Sequence, residues 1–551
     1  MAGDDVNSLV KEYQYLWGQQ ANFRTLWNTI AQYVMPAWDN FVGELSEGVI
    51  RTTRLFDSRA VTACERFASI MESLLTPRTQ MWHDLTTQDE VLKDDPEVQE
   101  YCSIVRKKLF AARYRPGANY ASQSDECYMS LGAFGNNAML IDEVMGRNLL
   151  YRSIPLNEIV WSLNSAGMVD NLYRKFKYTA KQCLQMEASD GWNCAPKIRE
   201  AYDKNPYQEF EVLHCVKPNE DYSPGSIGVK GKAYASWYIA YGEKYPMKVG
   251  GYRVFPYAVG RYRMAPREHY GRSPGSVALP AIRTLNEQKK TALRAGQKAV
   301  DPPLLLADEG ALTAFNLRAG ALNYGMLTSS GEPLVQALES KGRFDIGKEL
   351  MDLEASAIDD AFLTSVLQIL AQHPDMTATE ALIRSQEKGV LIAPAMGRQQ
   401  SEFLGPQIHR ELDIMERAGQ LPPVPESLLE RGGLAALKIE YTSPLSKLMR
   451  AEEAQTIMTS VQGVSQMASV RPQILDLIDW DETGRDFLEA SGFPGKLLLD
   501  PDRLAEVREQ AAQQAQAAQV VQAAPDVSKS ALNLAQAHQA LASAGGGNAG
   551  T

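Results

Sequence analysis

The residues that could do chemistry fall into a few clusters, and spacing decides what each can do. Gly225-Ser226-Ile227-Gly228-Val229-Lys230-Gly231-Lys232-Ala233 comes close to a phosphate-binding loop. That loop needs a glycine six residues before its lysine and a hydroxyl just after it to hold magnesium, and Ser226 and Ala233 stand there instead. Lying between two strand candidates, the run reads as a hairpin loop. His83, His214, His269, His373, His409 and His538 form no HxxxH or HxH pair. Cys64, Cys102, Cys127, Cys183, Cys194 and Cys215 form no CxxC pair, and zinc at Cys183, Cys194, His214 and Cys215 would need spacings unlike any standard set. There is no GxSxG elbow, and Asp94-Asp95 and Asp359-Asp360 read as helix-end or solvated-face acids. The sequence therefore nominates no catalytic residue, no metal site and no cofactor.

Cations with useful spacing lie between Ser276 and Val300. At 100° per residue Arg283, Lys290, Arg294 and Lys298 fall within roughly 80° of one another, with Glu287 interrupting. Such a stripe is either a solvated or salt-bridged face or a surface that meets phosphates. Ala281, Leu285, Ala292, Ala295 and Ala299 lie opposite, small enough for close helix packing. A following helix carries an acidic arc of Glu349, Asp352, Asp359 and Asp360, which could meet the stripe across a helix pair or a subunit boundary.

Positioning these residues requires a mixed framework. Up to about residue 135 the pattern is helical: Leu16, Phe23, Trp27, Ile30 and Val34 recur at helical steps and stop at Pro36. Asp57 or Ser58 can cap a second helix through Leu75, Asp95-Pro96-Glu97 opens a third, and Gly117 separates a fourth at Ala121 to Ala133. Short strands are expected at Ala138 to Val144, Leu149 to Ile154, Leu172 to Tyr178, Glu209 to Val216, Ala233 to Tyr241 and Arg253 to Gly260. Helix returns from Ser276 to Val300 and is stopped by Pro302-Pro303. Further helices are expected at Gly347 to Gln372 and Thr377 to Lys388. The loop Gly389, Val390, Leu391, Ile392, Ala393 and Pro394 comes next, then a helix ending near Gly419. Leu437 to Tyr441 reads as a strand, with helices at Lys447 to Ala468 and Asp502 to Gln522 and a frayed tail from Pro525.

The chain has 551 residues, 56 Lys plus Arg and 67 Asp plus Glu, for a net charge of −11. That length predicts several structural regions, and that sign argues against a protein that clamps nucleic acid through a basic surface. Sparse cysteines, no apolar N-terminal core and no long apolar window point to a reducing, aqueous compartment with no membrane span.

The order of these segments resembles the head-to-tail connector, or portal, proteins of short-tailed phages. The phrases that carry it are Arg24 to Pro36, Leu55 to Trp82, Gly132 to Glu143, Ile154 to Gly167, Phe255 to Asn286, Met376 to Gln386 and Tyr441 to Leu445. The resemblance covers roughly residues 20 to 450, and its strength is the order of weak phrases. It implies a predominantly helical α+β portal fold assembling as a dodecameric ring at one capsid vertex. Residues 1–275 would form the wing, 276–300 the first stem helix, 301–343 the clip and 344–373 the second stem helix. Residues 374–440 would carry the channel-loop helices and the return to the wing, 441–524 the crown or barrel, and 525–551 a disordered tail.

The resemblance also implies a conduit for double-stranded DNA. Expected partners are a separate terminase, tail adaptor proteins, and the scaffolding and major capsid proteins, in a virion assembled in the host cytoplasm. Arg283, Lys290, Arg294, Lys298 and Arg398 are then candidates to face DNA, and Gly389 to Pro394 the channel loop. A helical scaffold or adaptor, or a nucleic-acid-processing enzyme without a visible motif, are the competing readings.

Overall fold

The computed structural model describes residues 2–490 except 39, 44–45, 47, 94, 145–147, 307–315, 317, 319, 325, 328–329, 339–343, 365–393, 443 and 469–470. Beyond 490 it describes 503–504, 507–511 and 536. The chain divides into two compact units, residues 1–449 and 450–551. Helix and strand are mixed, with helix in the majority.

The N-terminal helices are α1 (Ala2–Gln19), α2 (Ala21–Val34), α3 (Arg59–Leu75), the single turn α4 (Glu90–Lys93), α5 (Pro96–Arg113) and α6 (Tyr120–Phe134). α2 buries Trp27, Ile30, Ala31 and Val34, the face its periodicity marks, and ends before Pro36. At the start of α3 Ser58 holds the cap position without a side-chain bond, while Asp57 Oδ1 accepts from the Arg59 N–H at 2.7 Å. Asp95 caps α5 by accepting from the Glu97 N–H at 3.0 Å, with Pro96 in the first turn. Gly135 ends α6 at φ +78° and touches the backbone at Gly271 and Arg272, so it needs both a left-handed conformation and the absence of a side chain.

Strand β1 (His83–Thr87) precedes the sheet-rich section, which holds β2 (Asn136–Val144), β3 (Asn148–Ser153), β4 (Ile159–Leu163), β5 (Val169–Thr179), β6 (Glu209–Pro218), β7 (Tyr234–Ala240), β8 (Tyr245–Tyr252) and β9 (Tyr257–Arg261). β4 to β8 form an antiparallel five-stranded sheet in chain order, and β3-β2-β9 a second of three. Five expected strands appear within a few residues of their predicted ends. The sixth does not start at Arg253: bends occupy 253–254 and pairing begins at Tyr257, after Pro256, which has no N–H to donate. β1, β4 and β8 were not anticipated, nor were α7 (Ala180–Asp190) and α8 (Pro196–Lys204). Thr179 and Gln182 form a full capping box for α7, a signal present in the sequence.

The long helix α9 runs Pro274–Val300, capped by a Ser273–Ser276 box. Short strands β10 (Leu304–Leu306) and β11 (Val335–Ala337) pair, and α10 follows at Phe344–Ala361. The helix expected to run to Gln372 is already broken by a turn at 362–363, where Leu363 has φ +59°; residues 365–372, the helix Thr377 to Lys388 and loop residues Gly389 to Ala393 lie outside the described residues. Pro394 opens a helical run over 394–399, which passes through a π-turn at Gln400–Leu404 into α11 (Gly405–Arg417). α12 (Glu426–Leu429) leads to β12 (Leu437–Tyr441), which pairs with β1. α13 (Pro444–Ala468) follows. In the second unit α14 is Trp480–Ala490, and Arg508 pairs with Asp481. The expected helix at Asp502 to Gln522 is described only over 503–504 and 507–511, where it is helical; of the tail, only 536 is described.

One apolar cluster joins α2, α3, α5, α6, β2, β9, α9 and α11. Strand alternation splits the rest around the five-stranded sheet: Leu213 and Cys215 face α1 through Val6, Leu9 and Tyr13, while Val212 faces α7 and α8.

Candidate nucleic-acid interface

α9 is positioned by its apolar side. Ala278, Ile282, Leu285 and Asn286 are buried, and the helix packs along α10 and against α2, α3 and α6. Asn286 fixes the chain before α3: its Oδ1 accepts from the Phe56 N–H at 2.7 Å and its Nδ2 donates to Arg54 O at 3.0 Å. Lys289 adds an ion pair to Asp57.

The stripe consequently faces away from the packed side. Arg283, Arg294 and Lys298 are exposed. Arg283 lies 5.9 Å from the Tyr33 ring centroid, and Lys290 is the least available member. Its ammonium sits 3.0 Å from Glu287 Oε1 and 5.5 Å from the Phe56 ring centroid. The small-residue face is rotated from the expected one. Leu285 lies on it, but Ala281, Ala292 and Ala295 are half-buried and Ala299 is exposed, because Ala278 and Ile282 set the seam.

The acidic arc of α10 does not meet the stripe within this chain. Glu349, Asp352 and Asp360 are exposed, while Asp359 is buried and pairs with Arg59 of α3. That pair holds the Arg59 guanidinium above its usual pKa, chiefly through the hydrogen bond to Asp359. Arg398 is likewise committed: its Nη1 lies 3.2 Å from Glu402 Oε1, and Glu402 also takes two 2.8 Å bonds from Arg261. Arg398 is therefore tied to the π-turn. Pro394, the one described residue of the expected loop, is exposed.

The π-turn is a feature that periodicity did not reveal. Gly260 of β9 makes room for it, since a Cβ there would lie 2.7 Å from Gln399 Oε1 and 3.0 Å from Phe403 Cβ. Tyr441 Oη donates to the Gln400 carbonyl at 2.7 Å.

Among the described residues the histidine and cysteine positions give no metal geometry. His214 and Cys215 are consecutive in β6 and point to opposite sheet faces. His214 Nδ1 is 2.6 Å from Tyr257 Oη and its Nε2 is 3.0 Å from Ser236 Oγ. Cys194 Sγ donates to Cys183 O at 3.3 Å, and all six cysteines are free and buried. Among the described residues no group of His, Cys, Asp and Glu could hold a metal ion, and no helix is long and apolar enough to cross a membrane. The near-miss phosphate loop is the β6–β7 connection, as expected of a hairpin loop.

The arrangement is a framework that presents the basic face of α9. The family model described as bacteriophage head to tail connecting protein matches residues 6–499. The chain belongs to this family. The connector is 25% identical over 519 residues to the "Probable portal protein" of Bordetella phage BPP-1, covering 91% of each chain. It is also 25% identical over 544 residues to the "Portal protein" of Salmonella phage epsilon15, covering 97% of this chain and 96% of that one. Among solved structures, the neck of a native GTA particle computed with C12 symmetry is similar at 11% identity and TM-score 0.36, covering 73% of this chain and 85% of that one.

Proposed function

We propose that this connector is a portal protein, a dodecameric ring at one capsid vertex through which double-stranded DNA is packaged and ejected. The observation that carries this is the family match over residues 6–499, nearly the whole chain, with relatives named as portal proteins aligned over almost their full length. On this reading terminase drives the DNA and docks on the ring, tail adaptor proteins build on its outer end, and scaffolding and major capsid proteins surround it. Assembly takes place in the host cytoplasm and the product resides in the virion. Wing, stem, clip and crown keep the boundaries given above, with α9 and α10 as the stem. The chain is a structural component and not the motor, in keeping with the failed phosphate loop.

Charge supplies the mechanism. Each phosphate that a protein neutralises releases counterions and adds affinity, so a strongly basic bore would hold DNA instead of passing it. Twelve copies of a −11 chain would carry about −132 formal charges. The outward cations Arg283, Arg294 and Lys298 of α9 would then form sparse rings, with Lys290 muted by Glu287 and Arg398 by Glu402. At physiological salt each ring acts within about 8 Å, enough to centre a duplex without gripping it. The loop Gly389 to Pro394 would line the channel; shortening it is expected to spare ring assembly and lower the length of genome retained.

Negative-stain imaging of the purified protein tests the reading directly. Rings are expected. A discrete monomer or dimer under conditions that keep the protein folded would instead support an adaptor.

A further inference from the structure

The segment between β9 and α9 is a hairpin held firmly at its base. The Arg272 N–H donates to Arg263 O at 2.6 Å and the Tyr262 N–H to Gly135 O at 2.9 Å. Buried Asn136 accepts from the Gly271 N–H at 2.7 Å through Oδ1 and donates to Gly271 O at 3.2 Å through Nδ2. At the tip the Glu268 N–H donates to Ala265 O at 3.2 Å, which closes a turn over Ala265-Pro266-Arg267-Glu268. Pro266 in the second position and φ +66° at Arg267 in the third make this a type II turn. That third position ordinarily belongs to glycine, because a side chain in the left-handed region crowds its own backbone. Arg267 is therefore strained, and strain of this kind is characteristic of ligand-holding loops whose surroundings fix the backbone.

The charges of the hairpin fit such a role. Residues 262–272 hold three arginines, no lysine and one acid. The acid is already committed: Arg272 donates from Nε to Glu268 Oε2 at 2.8 Å and from Nη2 to Oε1, and that pair holds the Glu268 carboxyl below its usual pKa. Arg263 and Arg267 are exposed, and among the described residues neither guanidinium has an ion pair or a hydrogen bond. Two unpaired guanidinium forks on a fixed backbone match the oxygens of a phosphate. A carboxylate fits the same forks, so position decides between them. The hairpin runs into α9 through Ser273, the cap of that helix. Arg272 lies 5.3 Å from the Phe23 ring centroid near the start of α2, and Arg283 of the stripe lies 5.9 Å from the Tyr33 ring centroid near its end. Those two rings are about 15 Å apart along α2, so the hairpin extends the basic face of α9 past its first turn.

We propose that the Arg263–Arg267 hairpin is a phosphate-binding loop that takes the backbone of the same DNA duplex as the basic face of α9. The inference rests on the reading of this chain as a DNA conduit and adds a contact site to it. Arg263 and Arg267 each pair with a phosphate and touch no base, so the contact is indifferent to sequence.

Anisotropy of a labelled duplex of about 20 base pairs, titrated with the purified full-length protein between about 50 and 200 mM salt, tests it. Arg267→Gly removes the guanidinium and relieves the turn. Its melting temperature should equal or exceed that of wild type, while duplex affinity falls several-fold and the slope of log affinity against log salt drops by about one. Arg263→Gln/Arg267→Gly should lower that slope by about two. Unchanged affinity and slope in both variants would make the hairpin a solvated loop and overturn the proposal. A lowered melting temperature in Arg267→Gly would mean that the side chain holds the turn, which also overturns it. Polyglutamate binding lost in the variants while duplex binding is kept would assign the hairpin to an acidic protein, with the same consequence. These measurements need no rings, whereas absence of rings in the wild-type protein would remove the conduit reading itself.

Discussion

Arg113 of α5 and Glu411 of α11 form a two-point ion pair with neither side chain exposed to water, Nε to Oε1 at 3.1 Å and Nη2 to Oε2 at 2.5 Å. Tyr151 Oη donates to the same carboxylate at 2.6 Å and Gln407 Nε2 at 2.8 Å. Burial alone would lower the Arg113 pKa, and the Glu411 charge outweighs it and holds the guanidinium above its usual range. The pair locks α11, which follows the π-turn, to the N-terminal helices and to β3.

Glu411→Gln should therefore be strongly destabilising. It keeps the shape but leaves a buried guanidinium without its counter-charge, a change that costs about 3–5 kcal/mol. Urea denaturation of the first unit's transition should show the loss. A change below about 1 kcal/mol would mean that water reaches Arg113 in solution.

Stability should also fall on mild acidification. Burial, reinforced by Arg174 and Lys248, pushes the His214 pKa down to about 3, and burial with Arg113 and Arg106 lowers that of His83. Both stay neutral in the folded chain while the unfolded chain protonates near 6.5. The unfolded state then binds more protons, so stability is full above about pH 6.5 and is lost as pH falls below it. Between pH 7 and pH 5 His214 should cost about 2 kcal/mol, with His83 acting in the same direction. Urea midpoints of wild type and His214→Gln at the two pH values test this, and the variant should show a smaller pH dependence than the wild type.

Gly260→Ala and Tyr441→Phe probe the π-turn from two sides. The added methyl would press on Gln399 Oε1 and on Asn137 Oδ1, so Gly260→Ala should cost about 1–3 kcal/mol through overpacking. Tyr441→Phe removes the hydroxyl that donates to the Gln400 carbonyl and should cost about 1 kcal/mol. Faster amide exchange over 394–405 in both variants, with α5 unaffected, is the expected pattern. Unchanged exchange would show that the turn is held by the Arg261–Glu402 pair alone.

What was legible in the sequence was local. Trp27, Ile30 and Val34 declare the buried face of α2, and Asp95-Pro96-Glu97 declares the start of α5, because caps and periodicity are short-range physics. β1 was not legible: His83 pairs with Tyr441 across the length of the first unit, and no neighbour in sequence announces that partner. The charged residues divide the same way. Spacing put Arg283, Lys290, Arg294 and Lys298 on one helix face, but no local signal shows that Arg398 is held by Glu402, which also binds Arg261. Arg113 and Glu411 look like surface residues in any local window, and only the packing of α5 against α11 removes them from water.

The α9 stripe poses the remaining choice, between DNA and a neighbouring subunit. Its cations face outward, and so do Glu349, Asp352 and Asp360 of α10, so in a ring either the bore or the next chain's acid could receive them. Lys290→Gln/Arg294→Gln separates the two. Exposed cations that meet phosphate contribute affinity that falls with salt, and their loss should leave rings intact while changing the amount of DNA packaged or retained. A subunit salt bridge would fail differently, with rings weakening at ordinary salt and no specific defect in DNA once formed. The single variants sharpen the test. Lys290 is already held by Glu287, so Lys290→Gln alone should do little, whereas exposed Arg294 should carry most of the double variant's effect. Equal effects of the two single variants would mean that the Glu287 pair opens in the assembled ring.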